Sequence, residues 1–256
     1  MNYLQFKDLH HADSPLVLGN VWNVQSALVF EKLGFKAIGT SSAAIAHSLG
    51  YQDGEEMPFK DMLFIVSRIC KSVSIPVTVD LESGYGATAQ KVFENIKQLY
   101  ALGVLGINIE DSYVINGKRK QKDKERFYEF LSELLDLVRS DNMELFINIR
   151  CDSFLSQVHA DQLKDACDRI ILYQKAAIDG IFLPGIVDVE DIKQIKEVLT
   201  LPLNVMCMPG LPDFYAIKDV ERISMGNFQN EYIYEVLSEI NGRIIQEQSF
   251  KVLFQK

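Results

Sequence analysis

Eight short apolar runs recur along the chain, each followed by a polar turn and a longer stretch of helical periodicity. This rhythm constrains the fold more than any other feature. The runs cover residues 15–22, 35–40, 75–81, 106–110, 145–150, 180–183, 201–206 and 222–226. Spread over 256 residues, eight units average 256/8 = 32 residues, about one strand plus one helix each. Strands that are apolar almost throughout belong in a parallel sheet covered on both faces. The intervening segments carry helical signals. Residues 58–72 put Met62, Ile65, Val66 and Ile69 on one face, and 90–102 do the same with Val92, Ile96, Leu99 and Tyr100 before Gly103 closes the helix. Residues 127–139 and 162–177 behave alike. Eight β/α units predict an α/β fold of the (β/α)8 TIM-barrel type, one domain spanning 1–256 with no linker or low-complexity boundary. An open doubly wound sheet is the competitor, but it wants a GxGxxG turn after the first strand, and Leu18-Gly19-Asn20-Val21-Trp22 is not one.

Charge and cysteine use narrow the function classes. Lys and Arg number 26 against 35 Asp and Glu, a net charge of −9, which disfavours nucleic acid as the main partner. No apolar run approaches the roughly 18 residues of a membrane span, and the first residues lack a secretory apolar core, so a cytoplasmic protein without a membrane partner is expected. Cys70, Cys151, Cys167 and Cys207 show no metal or disulfide spacing and read as reduced core thiols. His10, His11, His47 and His159 read as helix or surface residues. No HExxH, GxSxG or Walker-type motif occurs, leaving zinc enzymes and Ser/His hydrolases unsupported.

In a barrel of this kind the active site lies at the carboxyl ends of the strands, and here those ends are polar. They read Thr40-Ser41-Ser42-Ala43, Asp80-Leu81-Glu82-Ser83-Gly84-Tyr85-Gly86, Glu110-Asp111-Ser112 and Arg150-Cys151-Asp152. Asp80 and Glu82, two apart on a strand, point to the same side, and Glu110 arrives from the next strand. Three converging carboxylates call for a cation, and oxygen ligands without His or Cys favour Mg²⁺ or Mn²⁺ with waters retained. Alternatively these acids cap helices or pair with Arg150. Asp111 should face the opposite side from Glu110. Arg150 either pairs with Glu110 or Asp152 or clamps an anionic substrate end, and both roles are compatible. Ser41 and Ser42, with the N–H groups that follow, are candidates for a substrate oxygen. The basic run 118–124 is either a solvated loop or a positively charged lid.

These motifs, together with Gly50-Tyr51-Gln52-Asp53-Gly54, Asn108-Ile109-Glu110-Asp111, Leu201-Pro202-Leu203-Asn204-Val205-Met206 and Arg222-Ile223-Ser224-Met225-Gly226, resemble the isocitrate lyase/phosphoenolpyruvate mutase superfamily along nearly the whole chain. The resemblance implies a (β/α)8 barrel with an exchanged C-terminal helix, a homo-oligomer (dimer or tetramer), Mg²⁺ or Mn²⁺, and a small anionic 2-oxo acid substrate passing through an enolate. Residue by residue, Asp80 resembles the direct metal ligand and Glu82 and Glu110 the water-mediated ones. Ser41, Ser42 and Ala43 resemble the binders of the pyruvate-like end. Arg150 looks like the arginine for the anionic end, and Asp53 like the acid beside the metal. Asp53 and Arg150 are the candidate catalytic residues; Tyr85 and Lys118 are further candidates for proton transfer. The family's cysteine-dependent lyases carry Lys-Lys-Cys-Gly-His after the fourth strand, where this chain reads Tyr113-Val114-Ile115-Asn116-Gly117-Lys118-Arg119-Lys120. Asn116 and Lys118 only loosely resemble the longer gating loop of the mutases, and Pro184 falls where the mutase has a histidine. The expected activity is a Mg²⁺-dependent lyase breaking or forming a C–C bond beside an enolate. The alternatives are P–C chemistry, mutase or phosphonopyruvate hydrolase, and a non-catalytic 2-oxo acid binding barrel.

Overall fold

A computed structural model of the chain describes residues 2–156, 161–217 and 219–254. His159 lies outside them. Every apolar run yields a strand: β1 (Leu16–Val21), β2 (Ile38–Thr40), β3 (Val77–Asp80), β4 (Gly106–Glu110), then, after an antiparallel hairpin of β5 (Ser112–Ile115) and β6 (Lys118–Gln121), β7 (Phe146–Arg150), β8 (Gly180–Leu183), β9 (Leu203–Met206) and β10 (Arg222–Ser224). Eight of them pair in parallel into a closed barrel, ordered β1-β10-β9-β8-β7-β4-β3-β2 and closed by β1 against β2. Their residues are buried almost without interruption, as strands enclosed by side chains inside and helices outside must be. The register sets Asp80 beside Asn108 and Glu110 beside Arg150 at the carboxyl rim.

The helices are α1 (Tyr3–Asp8), α2 (Val24–Lys32), α3 (Ser42–Ser48), α4 (Phe59–Cys70), α5 (Ala89–Ala101), α6 (Lys124–Ser140), α7 (Gln162–Tyr173), α8 (Val189–Val198) and α9 (Phe228–Glu247). Their apolar stripes meet the sheet as the periodicity predicts: Met62, Val66 and Ile69 of α4 are buried, as are Val92, Ile96 and Leu99 of α5. Tyr100, expected on that face, is exposed instead, one step round the helix from Leu99. Gly103 has φ +85°, the left-handed conformation that ends α5. Phe6 of α1 joins Leu16, Leu18, Ala37 and Phe146 to seal the floor of the barrel. His10 lies on a short helical turn (Leu9–His11), within the helix-or-surface expectation, and its ring is buried there, stacked on Phe146 at 4.1 Å. The four cysteines are free thiols; Cys151 is buried and the other three half-buried. Among the described residues no helix is long and apolar enough to cross a membrane.

Candidate active site

The carboxyl rim opens on a cavity of about 260 Å³ whose lining includes Asn20, Ser41, Ser42, Ala43, Asp53, Asp80, Arg119 and Arg150. Each is set by its strand end. Asp80 closes β3, its N–H donating to Thr40 Oγ1 (3.0 Å) across to β2. The Ser42 hydroxyl donates to Asp80 Oδ2 (2.8 Å), while Ser41 caps α3 by accepting from the Ala44 N–H (3.3 Å). Ser42 and Asp80 therefore form one unit, and the Ser41 side chain is engaged in helix capping. Asn20 accepts from the Met225 and Gly226 N–H groups (2.7 and 3.1 Å) and joins β1 to the turn after β10.

Glu82 reaches this region by a different route from the one strand alternation predicts. β3 ends at Asp80, and Glu82 adopts a left-handed conformation, φ +51°, in the turn beyond. Its carboxylate accepts from the Tyr85 hydroxyl (2.6 Å) and the Glu55 N–H (2.7 Å). Glu55 in turn accepts from Ser83 Oγ (2.8 Å) and Tyr85 N–H (2.9 Å). Glu55 and Tyr85 also have positive φ, so three non-glycine residues in unfavourable backbone conformations are locked by one hydrogen-bonded knot. Glu82 and Glu110 line a second, smaller cavity of about 40 Å³ beside the main one. Thus Asp53 and Asp80 face the larger space, and Glu82 and Glu110 stand behind it.

Glu110 is held by two guanidinium groups. Arg150 Nη1 lies 3.0 Å from Glu110 Oε2 and its Nε donates to Asp152 Oδ1 at 2.6 Å. Arg119, near the tip of the hairpin, donates from Nη1 to Glu110 Oε1 (2.7 Å), Asp152 Oδ2 (2.9 Å) and Ser112 Oγ (2.8 Å), with Nη2 3.6 Å from Asp53. Both expected partners of Arg150 are therefore real, and the basic run 118–124 is an ordered strand and turn rather than a solvated loop. Arg119 is a cavity-lining residue the motifs did not single out, and Asp152, expected only as a partner of Arg150, holds Arg119 as well. Asn116 and Gly117, both at positive φ, make the tight turn that this dipeptide signals, and that signal was available. Lys118, a candidate for proton transfer, sits beside that turn and does not line the cavity. Asp111 faces away from Glu110 as alternation requires, buried against Arg169 (3.1 Å) and the Tyr173 hydroxyl (3.0 Å).

The electrostatics follow from this packing. Burial pushes the Asp80 carboxyl up, with Arg150 only partly opposing it. Burial also pushes Glu82 up to about 8, with Asp53, Asp80 and Glu110 adding to the rise, and Glu110 up to about 7 despite Arg150. Asp152, equally buried, is held below the ordinary carboxylate range because Arg150 and Arg119 together outweigh its desolvation. Asp152 is thus held in its charged form between two guanidinium groups, whereas Asp80, Glu82 and Glu110 are pushed toward the neutral form. Asp80 Oδ1 is buried and has no hydrogen-bond partner. An all-oxygen donor set with an open carboxylate oxygen fits a hard divalent cation. Among the described residues no three acidic, imidazole or thiol side chains gather as a metal-binding group, and the expected convergence of Asp80, Glu82 and Glu110 is not seen: Asp80 lines the larger cavity, and Glu82 and Glu110 the smaller one.

A closed parallel barrel with acids and guanidinium groups gathered at its carboxyl rim defines an enzyme of the (β/α)8 class. Residues 6–245 match the phosphoenolpyruvate phosphomutase family, and the chain belongs to that family, within the isocitrate lyase/phosphoenolpyruvate mutase superfamily of enzymes. It is 31% identical over 208 residues to an uncharacterised protein of Mycobacterium tuberculosis H37Rv, covering 81% of this chain and 76% of that one. It is 28% identical over 202 residues to the oxaloacetate decarboxylase of Rhodopseudomonas palustris TIE-1, covering 76% and 67%. A crystal structure from Burkholderia cenocepacia J2315, provisionally described as a phosphonomutase, superposes with TM-score 0.87 and 32% identity over 94% of this chain and 99% of that one. A phosphonopyruvate hydrolase solved with oxalate and Mg²⁺ shares the fold, with TM-score 0.82 and 20% identity over 97% and 89%.

Proposed function

We propose that this enzyme is a Mg²⁺- or Mn²⁺-dependent lyase that breaks a C–C bond beside the 2-oxo group of a small acid, through an enolate. The observation that carries the reading is the pairing of Asp80, buried with one oxygen unpartnered, with the Ser42 hydroxyl and the Arg119–Arg150 pair in one small cavity. A bound divalent cation there supplies Lewis-acid stabilisation of a developing enolate oxygen. Asp80 is the direct ligand in this reading, and Glu82 and Glu110 act through waters. Ser42 donates toward the metal-side carboxylate, and Ser41 and Ala43 frame the 2-oxo acid end. Arg150 orients the substrate's anionic end, and Asp53, 3.6 Å from Arg119 and lining the same cavity, is the candidate catalytic acid.

Among the described residues no thiol or imidazole lines the cavity, and the segment after the fourth barrel strand lacks the cysteine of the related lyases, so this reading uses chemistry without that cysteine acid. Loss of carbon dioxide from a 2-oxo diacid meets that condition: the C–C bonding pair passes into the enolate, carbon dioxide departs without a proton, and the enolate carbon then takes one proton from water. Likeness to the oxaloacetate decarboxylases supports this reading. P–C cleavage is the second reading, favoured by likeness to the provisional phosphonomutase. The test is a paired assay with Mg²⁺, following 2-oxo acid release from 2-oxo diacids and phosphorus NMR of phosphonopyruvate. Turnover of the diacids alone supports the lyase. Turnover of phosphonopyruvate alone overturns it.

A further inference from the structure

The wall of the cavity that faces away from Asp80 is built differently from the rest. The turn after β7 contributes Leu155, the end of β8 contributes Phe182 and Pro184, and the end of β9 contributes Met206. These positions follow one another round the barrel, so they form one continuous apolar sector. Its backbone offers little to an anion. Pro184 has no N–H, and the Leu155 N–H donates to the Asp152 carbonyl (3.0 Å). The neighbouring N–H groups of Met225 and Gly226 are spent on Asn20. Arg150 marks the border, its guanidinium carbon 6.0 Å from the Phe182 ring centre and its charge directed to Glu110 and Asp152.

Among the described residues, Leu155, Phe182, Pro184 and Met206 present no side-chain donor, so a carboxylate or phosphonate set against them would lose hydration there, whereas an alkyl group would gain by leaving water; the polar lining lies at the edges, on Arg150, Ser224 and Asn227. We infer that the substrate carries an alkyl group on the carbon next to its 2-oxo group, the carbon kept in the enolate, seated against Leu155, Phe182, Pro184 and Met206. This rests on the 2-oxo acid reading above and adds the substituent to it. The small cavity limits that substituent to a few carbons.

Calorimetric titration of the Mg²⁺-loaded enzyme tests it with oxalate, pyruvate, 2-oxobutanoate, 2-oxopentanoate and 2-oxopentanedioate. Affinity should rise about threefold to tenfold with each methylene from pyruvate to 2-oxopentanoate. The dioate, which puts a charge where the alkyl end belongs, should bind at least about tenfold more weakly than 2-oxopentanoate. Met206→Gln, similar in length but polar, should flatten the alkyl series, and Leu155→Asn should do the same from the opposite edge. A flat series, or a dioate that binds more tightly than the monoacid, with oxalate binding intact, overturns the inference alone. Failure of oxalate itself to bind removes the 2-oxo acid reading, and this inference with it.

Discussion

Asp152 organises more of the site than its expected pairing with Arg150 suggests. Its carboxylate takes Arg150 Nε at 2.6 Å and Arg119 Nη1 at 2.9 Å, and its N–H donates to Asp111 Oδ1 at 3.0 Å. Removing one partner from a buried charge cluster leaves the others uncompensated. Asp152→Ala is therefore expected to lower stability by about 3 kcal/mol, read as a fall in the urea midpoint at unchanged slope. A change within about 0.5 kcal/mol, the range of an ordinary surface substitution, would show that neither guanidinium depends on it. The sequence exposed Arg150 because it ended an apolar strand in polar residues. It hid Asp152's second partner, since Arg119 lies 33 residues away on another element. Glu82 was legible as an acid near the site but not in its geometry, because strand alternation stops one residue after Asp80 and the left-handed turn depends on Glu55 and Tyr85.

At the scale of elements, the barrel strands were readable because a parallel strand buried on both faces must be apolar almost throughout. The β5–β6 hairpin was not read, because its basic residues resemble a solvated loop unless the Asn116-Gly117 turn is weighed. Its base is fixed by Gln121 on Asp111 Oδ2 (3.0 Å) and by Arg169 on the Lys122 carbonyl (3.0 Å), and its far end carries Arg119 inward. Gly117 has φ +69° with open space where a Cβ would stand. Gly117→Val should thus strain the turn by about 1 kcal/mol or more without a clash. Hydrogen exchange of residues 112–121 should speed up roughly fivefold or more. Unchanged exchange would mean the ion pairs of Arg119, not the turn, hold the hairpin down.

The molecule as a whole exposes two further features. Burial lowers the His10 pKa to about 3, with the Arg222 charge adding to the effect. Above pH 6.5 His10 is neutral both folded and unfolded, so it is silent. Below 6.5 the unfolded chain takes a proton that the folded floor refuses until about pH 3, and stability falls by about 1.4 kcal/mol per pH unit well inside that window. His10→Phe, which retains an aromatic ring for Phe146, should make the stability–pH profile between 6 and 4 shallower by about one proton. An unchanged slope would assign the acid sensitivity elsewhere. The second feature is α9, which buries Asn230 alone and leaves Tyr232, Ile233, Tyr234, Leu237 and Ile245 exposed. Apolar exposure of that extent marks an association surface. The chain is expected to sediment as a dimer or larger species, and removal of residues 228–254 should shift it toward monomer or aggregate. A full-length monomer at micromolar concentration would contradict that.

Most direct for the central claim is calorimetric titration of oxalate, a planar enolate mimic, with and without Mg²⁺, on the wild-type enzyme and on Asp80→Asn. The account predicts binding that requires Mg²⁺ and is lost in the variant, because Asp80 Oδ1 is the open oxygen on which the cation is to sit. Metal-independent oxalate binding, or binding that survives Asp80→Asn, would contradict it.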